Sequence, residues 1–223
     1  MVELWLPPGH EVRVAALSLD DGASCEVVAD PRPKWVTYGS SITHCSGAHG
    51  PARTWPAVAA RLKGLNLTCL GYGGNCHLEP SVALMIRDLP AEVISLKIGI
   101  NIYGASSLSP RTFRPALIGF VRLLREKHPT TPLAVVTSIV SPPRETVKNA
   151  VGFTLQEMRG EIEDAVKRLR DCGDENIRCF SGLELFGADL VADYLPDELH
   201  PNGDGYELLG RRFAEQVLSR YDF

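Results

Sequence analysis

Two short segments at opposite ends of the chain carry side chains suited to nucleophilic catalysis. Near the start, the segment WVTYG at 35–39 is followed by Ser40 and Ser41, which places a hydroxyl at the end of a predicted strand. Near the end, Asp197 comes shortly before His200, so its carboxylate can reach the imidazole within one loop. A histidine oriented by a carboxylate is the base that a nucleophilic serine requires. Each segment also has a purely structural interpretation, as a turn or as the cap of the following helix.

Two further segments offer hydrogen-bond donors for a developing oxyanion. Gly73 and Gly74 follow the second predicted strand, and Asn101 follows the third. A backbone N–H at Gly74 can approach a substrate closely because no Cβ blocks it, and Asn101 supplies a side-chain amide. Such donors are worth about 2.7–4 kcal/mol each in acyl transfer. The alternative is that the glycines form a turn and Asn101 bonds loop backbone.

From Lys34 onward, predicted strands and helices alternate. The strands fall near 34–39, 66–70, 92–98, 132–137 and 176–181, and the helices near 53–63, 79–88, 110–127, 152–171 and 203–219. This alternation predicts an α/β fold, a three-layer α/β/α sandwich with a central parallel five-stranded sheet. The polar, glycine-rich segments after the strands, 39–53 and 99–104 among them, are expected to be loops. Because such loops gather at one edge of the sheet, the candidate residues should meet there.

Residues 1–33 differ from the main domain, which we place at 34–223. Three β-like pieces, at 3–6, 11–17 and 25–28, are separated by Pro-Pro-Gly and Asp-Asp-Gly, which predicts a short β-rich extension, as a hairpin or three-stranded flap. Such a unit is too small to be stable alone. It is therefore expected to lean on the main domain or on a partner subunit, and an oligomer could form through it.

The composition excludes several classes of protein. Hydrophobic residues make up 44% and charged residues 22% of the chain, with a formal net charge of −4. These proportions are typical of a globular protein, and the charge predicts neither a nucleic-acid partner nor a membrane surface. Six cysteines without a CxxC pair predict neither a disulfide scaffold nor a zinc site. The first residues lack the pattern of a signal peptide, and the cytoplasm is the expected location.

The four candidate segments resemble the conserved blocks of the SGNH hydrolases, also called GDSL-type esterases and lipases. The resemblance covers 34–219, and its most specific part is the pattern Asp-x-x-His-Pro-x-x-x-Gly-Tyr that begins at Asp197. It implies a flavodoxin-like SGNH hydrolase fold with Ser41 as nucleophile, His200 as general base and Asp197 as the acid that orients it. The backbone N–H groups of Ser41 and Gly74 and the side chain of Asn101 would form the oxyanion hole. No metal or cofactor is implied.

This sequence departs from the family pattern at two positions. Ser40 stands where the first block usually has Asp, and Ile102 where the third block usually has Asp. Neither is a catalytic member, but their loss makes the site less acidic. The second block also contains an additional histidine, His77. His44, His77 and Tyr103 are the candidates for substrate contact, and for His77 bonding to loop backbone is the favoured interpretation.

The expected activity is that of a serine hydrolase. It would cleave a carboxylic ester or thioester of a small soluble substrate through an acyl-enzyme. Two alternatives remain: acyl transfer from the same site, and an inactive scaffold that binds a ligand or a protein. A metal-dependent phosphodiesterase is disfavoured, because it would need clustered carboxylates and histidines at the strand ends.

Overall fold

The segment that precedes the two serines forms a buried strand, β1 (Lys34–Gly39). The computed structural model describes residues 3–8, 11–26 and 28–222. The other strands are β2 (Asn66–Gly71), β3 (Val93–Lys97), β4 (Leu133–Val136) and β5 (Ile177–Phe180). In the described part of the chain these five strands form a parallel sheet of order β2-β1-β3-β4-β5. The predicted five-stranded parallel sheet is therefore confirmed.

Helices cover both faces of this sheet. They are α1 (Ser41–His44), α2 (Trp55–Lys63), α3 (Pro80–Asp88), α4 (Ile100–Ala105), α5 (Pro110–Arg125), α6 (Leu155–Asp171), α7 (Gly182–Leu185), α8 (Val191–Tyr194) and α9 (Gly203–Gln216). On one face, Trp35 of β1 packs against Trp55 and Phe213. On the other, Tyr38 stacks on Phe120 of α5. This arrangement confirms the three-layer α/β/α sandwich.

Local capping sets where the long helices begin. The Thr154 hydroxyl accepts the Glu157 N–H at 3.0 Å, and the Glu157 carboxylate accepts the Thr154 N–H at 2.8 Å. This reciprocal pair satisfies two of the amides left free at a helix start, so α6 begins three residues later than predicted. The last helix ends at Gln216, and a 3-10 turn (Leu218–Arg220) follows. None of the helices in the described ranges combines the length and apolar character needed to cross a bilayer.

Two segments that the sequence predicts to be loops contain short helices. The segment 39–53 includes α1, and the segment 99–104 lies largely within α4. These helices have four and six residues, too few for a hydrophobic repeat to be detected in the sequence. Both helices begin at the carboxyl edge of the sheet and carry the candidate residues Ser41 and Asn101.

The described residues of the N-terminal part do not form the predicted hairpin or flap. Residues 3–8, 11–26 and 28–33 contain neither strand nor helix, and Val27 of the third predicted piece lies outside the described residues. The side chains of Leu4, Leu6, Val14, Leu17, Leu19 and Val28 are all more than half exposed. A strand requires a neighbour for its backbone hydrogen bonds, and these segments do not pair with each other or with the sheet.

Candidate active site

Ser41 is the first residue of α1, directly beyond the carboxyl end of β1. The hydroxyl of the preceding Ser40 accepts the Ile42 N–H at 3.3 Å and caps the helix. Gly71, at the end of β2, allows α1 to lie close to the sheet, because a Cβ there would overlap the backbone of His44. The tight turn directs the Ser41 hydroxyl away from the core and towards the loop before α9.

Ser41, His200 and Asp197 form one hydrogen-bonded chain. The Ser41 Oγ lies 2.9 Å from His200 Nε2 across a separation of 159 residues, and His200 Nδ1 lies 2.7 Å from Asp197 Oδ2. A proton on Nδ1 leaves Nε2 as an acceptor for the serine proton. The side chains of His200 and Asp197 are 37% and 53% exposed. Water therefore has access to the imidazole.

The second oxygen of the Asp197 carboxylate holds its own loop. Its Oδ1 accepts the backbone N–H groups of Leu199 at 3.0 Å and His200 at 2.6 Å. Burial alone would raise the pKa of Asp197, but the hydrogen bonds from His200 and Leu199 hold that pKa below its usual value. The carboxylate is consequently ionised at neutral pH, as a group that orients and stabilises an imidazolium must be.

The candidate oxyanion donors Gly74 and Asn101 follow β2 and β3, the two strands that flank β1. Asn101 is near the start of α4, and its Oδ1 accepts the Cys76 N–H at 3.2 Å. This bond fixes the amide and leaves its Nδ2 as a donor. Gly73 lies beside the serine, since a Cβ on it would be 3.9 Å from the Ser41 Cβ. Gly74 has a φ of 73°, a conformation that glycine adopts without strain.

The three residues predicted to contact substrate have different surroundings. His77 uses both ring nitrogens within the protein, at 2.9 Å to the Gly74 carbonyl and 2.8 Å to the Ser107 hydroxyl. It therefore holds the glycine turn instead of offering a polar atom to substrate. Tyr103 is only 8% exposed, and its hydroxyl donates to the Val147 carbonyl at 2.9 Å. Among the three, His44 is half-buried beside Gly73 and stays a candidate for substrate contact.

Both departures from the family pattern have a local explanation. Ser40 is 1% exposed and acts as the N-cap of α1, a role for which Ser and Asp are both favoured. Ile102 is fully buried and belongs to the hydrophobic core. A carboxylate at that position would have no water around it. The missing acids thus correspond to a cap that retains its function and to an apolar packing position.

A buried lysine beneath the site was not predicted from the sequence. Lys97, the last residue of β3, is 2% exposed and pairs with Gly39 of β1 in the sheet register. Burial lowers its pKa to about 8, and the nearby thiols of Cys45 and Cys76 oppose that shift in part. Within residues 3–8, 11–26 and 28–222, Lys97 forms no ion pair with a carboxylate. No pattern in the sequence distinguishes it from a surface lysine.

One group of side chains in the described ranges has atoms close enough to share a metal ion. His49, Asp204 and Glu207 place one ligand atom each within 4.8 Å of one another. His49 and Asp204 are already bonded at 2.9 Å, and Glu207 forms ion pairs with Arg53 and Arg211. The two guanidinium groups offset the carboxylate charge, so this exposed cluster is balanced without a cation.

A Ser-His-Asp chain at the carboxyl edge of a parallel sheet is the arrangement that serine hydrolases with α/β folds use. The GDSL-like Lipase/Acylhydrolase family matches residues 33–218, and the chain belongs to this family. No curated protein matches the chain in sequence.

Solved structures show the same fold. The salicylyl-acyltransferase SsfX3 from a tetracycline biosynthetic pathway is 34% identical, with a TM-score of 0.83 over 91% of this chain and 58% of its own. A member of the lipolytic protein G-D-S-L family from Veillonella parvula is 17% identical, with a TM-score of 0.61 over 84% of this chain and 99% of its own. A Clostridium thermocellum family 3 carbohydrate esterase is 17% identical, with a TM-score of 0.64 over 84% of this chain and 96% of its own. The chain thus spans little more than half the length of the acyltransferase.

Proposed function

We propose that the protein cleaves a carboxylic ester or thioester of a small soluble substrate through an acyl-enzyme on Ser41. The observation that carries the proposal is the chain of two short hydrogen bonds, 2.9 Å from Ser41 to His200 and 2.7 Å from His200 to Asp197. An unactivated serine hydroxyl is a weak nucleophile, and these contacts supply the base that it requires. Membership of the family supports the same conclusion.

The reaction proceeds in two halves. Ser41 Oγ attacks the substrate carbonyl while His200 Nε2 takes its proton, and the carbonyl oxygen becomes an oxyanion near the Gly74 turn and Asn101 Nδ2. The intermediate collapses by breaking the bond to the leaving group, which takes the proton from His200. Water then attacks the acyl-enzyme with His200 again as base, and the acid is released. Asp197 stays ionised throughout.

Acyl transfer is the second candidate, supported by the likeness to the salicylyl-acyltransferase. The first half of the reaction would be identical, and an alcohol or amine would replace water in the second. The exposure of the His200 and Asp197 side chains, 37% and 53%, favours water as the acceptor. The choice can be measured by adding an alcohol or amine and comparing the acylated product with the free acid.

The cellular setting forms part of the same proposal. All six cysteines are free thiols, which supports a reducing compartment such as the cytoplasm. The oligomer predicted through the N-terminal extension stays a prediction, for which the size of the protein in solution is the measurement.

Turnover of p-nitrophenyl acetate tests the proposed function. Ser41→Ala should abolish turnover and labelling by a fluorophosphonate probe. Ser46→Ala removes an exposed hydroxyl from the same segment and should retain both. Ester turnover that is unchanged in Ser41→Ala would contradict the proposal. A wild-type protein that neither turns over nor becomes labelled would favour the inactive binding scaffold.

A further inference from the structure

The loop that carries Asp197 and His200 contains a strained residue. Glu198, which lies between them, has a φ of 57°, a left-handed conformation that is unfavourable for a residue with a Cβ. This conformation turns the chain so that the Leu199 and His200 N–H groups both reach Asp197 Oδ1. Something outside the loop must hold Glu198 in place, because strained residues persist only where their surroundings impose the conformation.

Ser141 contacts Glu198 from a different part of the chain. Its hydroxyl donates to the Glu198 carbonyl oxygen at 2.7 Å, across a separation of 57 residues. The same hydroxyl accepts a hydrogen bond from Arg144 Nη1 at 2.9 Å, so its single proton is directed to Glu198. Ser141 is 1% exposed, and solvent therefore does not compete for this bond.

Ser141 is itself held in place by a partly buried ion pair between Glu145 and Arg159. Its N–H donates to Glu145 Oε1 at 2.9 Å, and the Glu145 carboxylate receives two hydrogen bonds from the Arg159 guanidinium, at 2.5 and 2.8 Å. Burial alone would raise the pKa of Glu145. The hydrogen bonds from Arg159 and from the Ser141 N–H outweigh this effect and hold the pKa below its usual value, so the carboxylate is ionised. Arg159, only 6% exposed, also donates to the backbone carbonyl of Ser138 at 2.9 Å. The segment from 138 to 145 is thus attached to helix α6.

We propose that Ser141 is a positioning residue for the active site. It holds the Glu198 carbonyl, and through the left-handed turn at Glu198 it keeps His200 aligned between Asp197 and Ser41. Ser141 does not contact the reacting atoms, and it acts only through this loop. The inference rests on the proposed function, since it assigns a role in the same site.

The first test compares Ser141→Ala with Ser95→Ala. Ser95 is a matched control because it is also 1% exposed and its hydroxyl donates one hydrogen bond, to Thr37, and accepts one, from Trp35. Both variants lose one buried hydroxyl, and both should lose similar stability in urea unfolding. Ser141→Ala should lower kcat about tenfold, because small misalignments in an active site are costly, with KM changed less than about twofold. Ser95→Ala should keep the wild-type kcat.

The second test separates positioning from a general structural role. Asparagine adopts the left-handed conformation more easily than glutamate, so a protein with Glu198→Asn should depend less on Ser141. Adding Ser141→Ala to the Glu198→Asn variant should therefore lower kcat less than about threefold. The low-field proton resonance of His200 Nδ1–H, present in the wild type and absent in His200→Ala, should broaden or disappear in Ser141→Ala.

The proposal would be overturned if kcat in Ser141→Ala stayed at the wild-type value or fell equally in Ser95→Ala. The proposal would also be overturned if Ser141→Ala lowered kcat as much in the Glu198→Asn variant as in the wild type. An unchanged His200 resonance in Ser141→Ala would overturn it as well. The resonance does not depend on turnover. Failure of the proposed function would instead appear as a wild-type protein without Ser41-dependent labelling, whatever the resonance shows.

Discussion

Ser40 and Ser41 carry the same side chain on adjacent residues, yet their hydroxyls point in different directions. Ser40 Oγ accepts the Ile42 N–H and is buried in the helix cap, whereas Ser41 Oγ lies 2.9 Å from His200 Nε2. The start of α1 falls between them and separates a hydroxyl that caps the helix from the one that we propose as the nucleophile. The two serines should therefore respond to substitution in opposite ways.

Stability measurements distinguish the two hydroxyls. Ser40→Ala removes the cap of α1 and should lower the free energy of unfolding by about 1 kcal/mol. Ser41→Ala removes a hydroxyl that caps nothing and should change it by less than about 0.5 kcal/mol. Urea unfolding followed by circular dichroism provides both values. A larger loss in Ser41→Ala than in Ser40→Ala would contradict the assigned roles.

Replacing Ile102 with the aspartate that the family usually has at this position should lower the stability of this protein. Ile102 is fully buried among apolar side chains, and Ile102→Asp would place a carboxyl group there without a partner. We expect a loss of about 3–5 kcal/mol in the free energy of unfolding, as for other uncompensated buried charges. Ile102→Val, the control, should cost only about 1 kcal/mol. If Ile102→Asp unfolded at the same urea concentration as Ile102→Val, the packing account would be wrong.

Lys97 predicts a specific dependence of stability on pH. Its pKa is lowered to about 8 from 10.5, so below pH 8 the folded protein must bury a charged ammonium. That cost, about 3 kcal/mol by linkage, decreases as the pH rises from 8 towards 10.5. In this range the folded lysine is neutral, and the proton that the unfolded lysine must release on folding is lost more easily at higher pH. Lys97→Met removes the cost at every pH.

The experiment compares urea unfolding of Lys97→Met and wild type at pH 7 and pH 10. Lys97→Met should be more stable at pH 7, by about 1–3 kcal/mol, and the difference should shrink at pH 10. The exposed Lys148 provides the control, since Lys148→Met should show no such change with pH. A difference that stays constant with pH would show that the buried amine has an unshifted pKa, and one that grows with pH would show that its pKa is raised; either result would contradict the account.

Much of the fold could be predicted because each strand of the sheet leaves a local pattern. The run of buried residues in β1 and the amphipathic spacing in α6 define their elements without reference to the rest of the chain. The short helices α1 and α4 have no such pattern. Residues 3–8, 11–26 and 28–33 show the opposite failure: their sequence predicts β-strands, but in the described structure they lie beside no strand with which to pair.

The candidate site divides in the same way. Asp197 and His200 are three residues apart, and the sequence alone predicts their contact, which the structure shows at 2.7 Å. The contact of Ser141 with Glu198 joins residues 57 positions apart, and neither residue type indicates it. For His77, the sequence favours bonding to loop backbone, and its Nε2 lies 2.9 Å from the Gly74 carbonyl. Its second contact, to the hydroxyl of Ser107, joins residues 30 positions apart, and no local pattern indicates it.

Direct detection of the acyl-enzyme tests the central claim. The wild-type protein is mixed with p-nitrophenyl acetate, quenched in acid during the first turnovers, digested and mapped by mass spectrometry. The account predicts one added acetyl group on the peptide that contains Ser41, and its absence from Ser41→Ala treated identically. An acetyl group on any other residue, with Ser41 unmodified while the ester is consumed, would contradict the account.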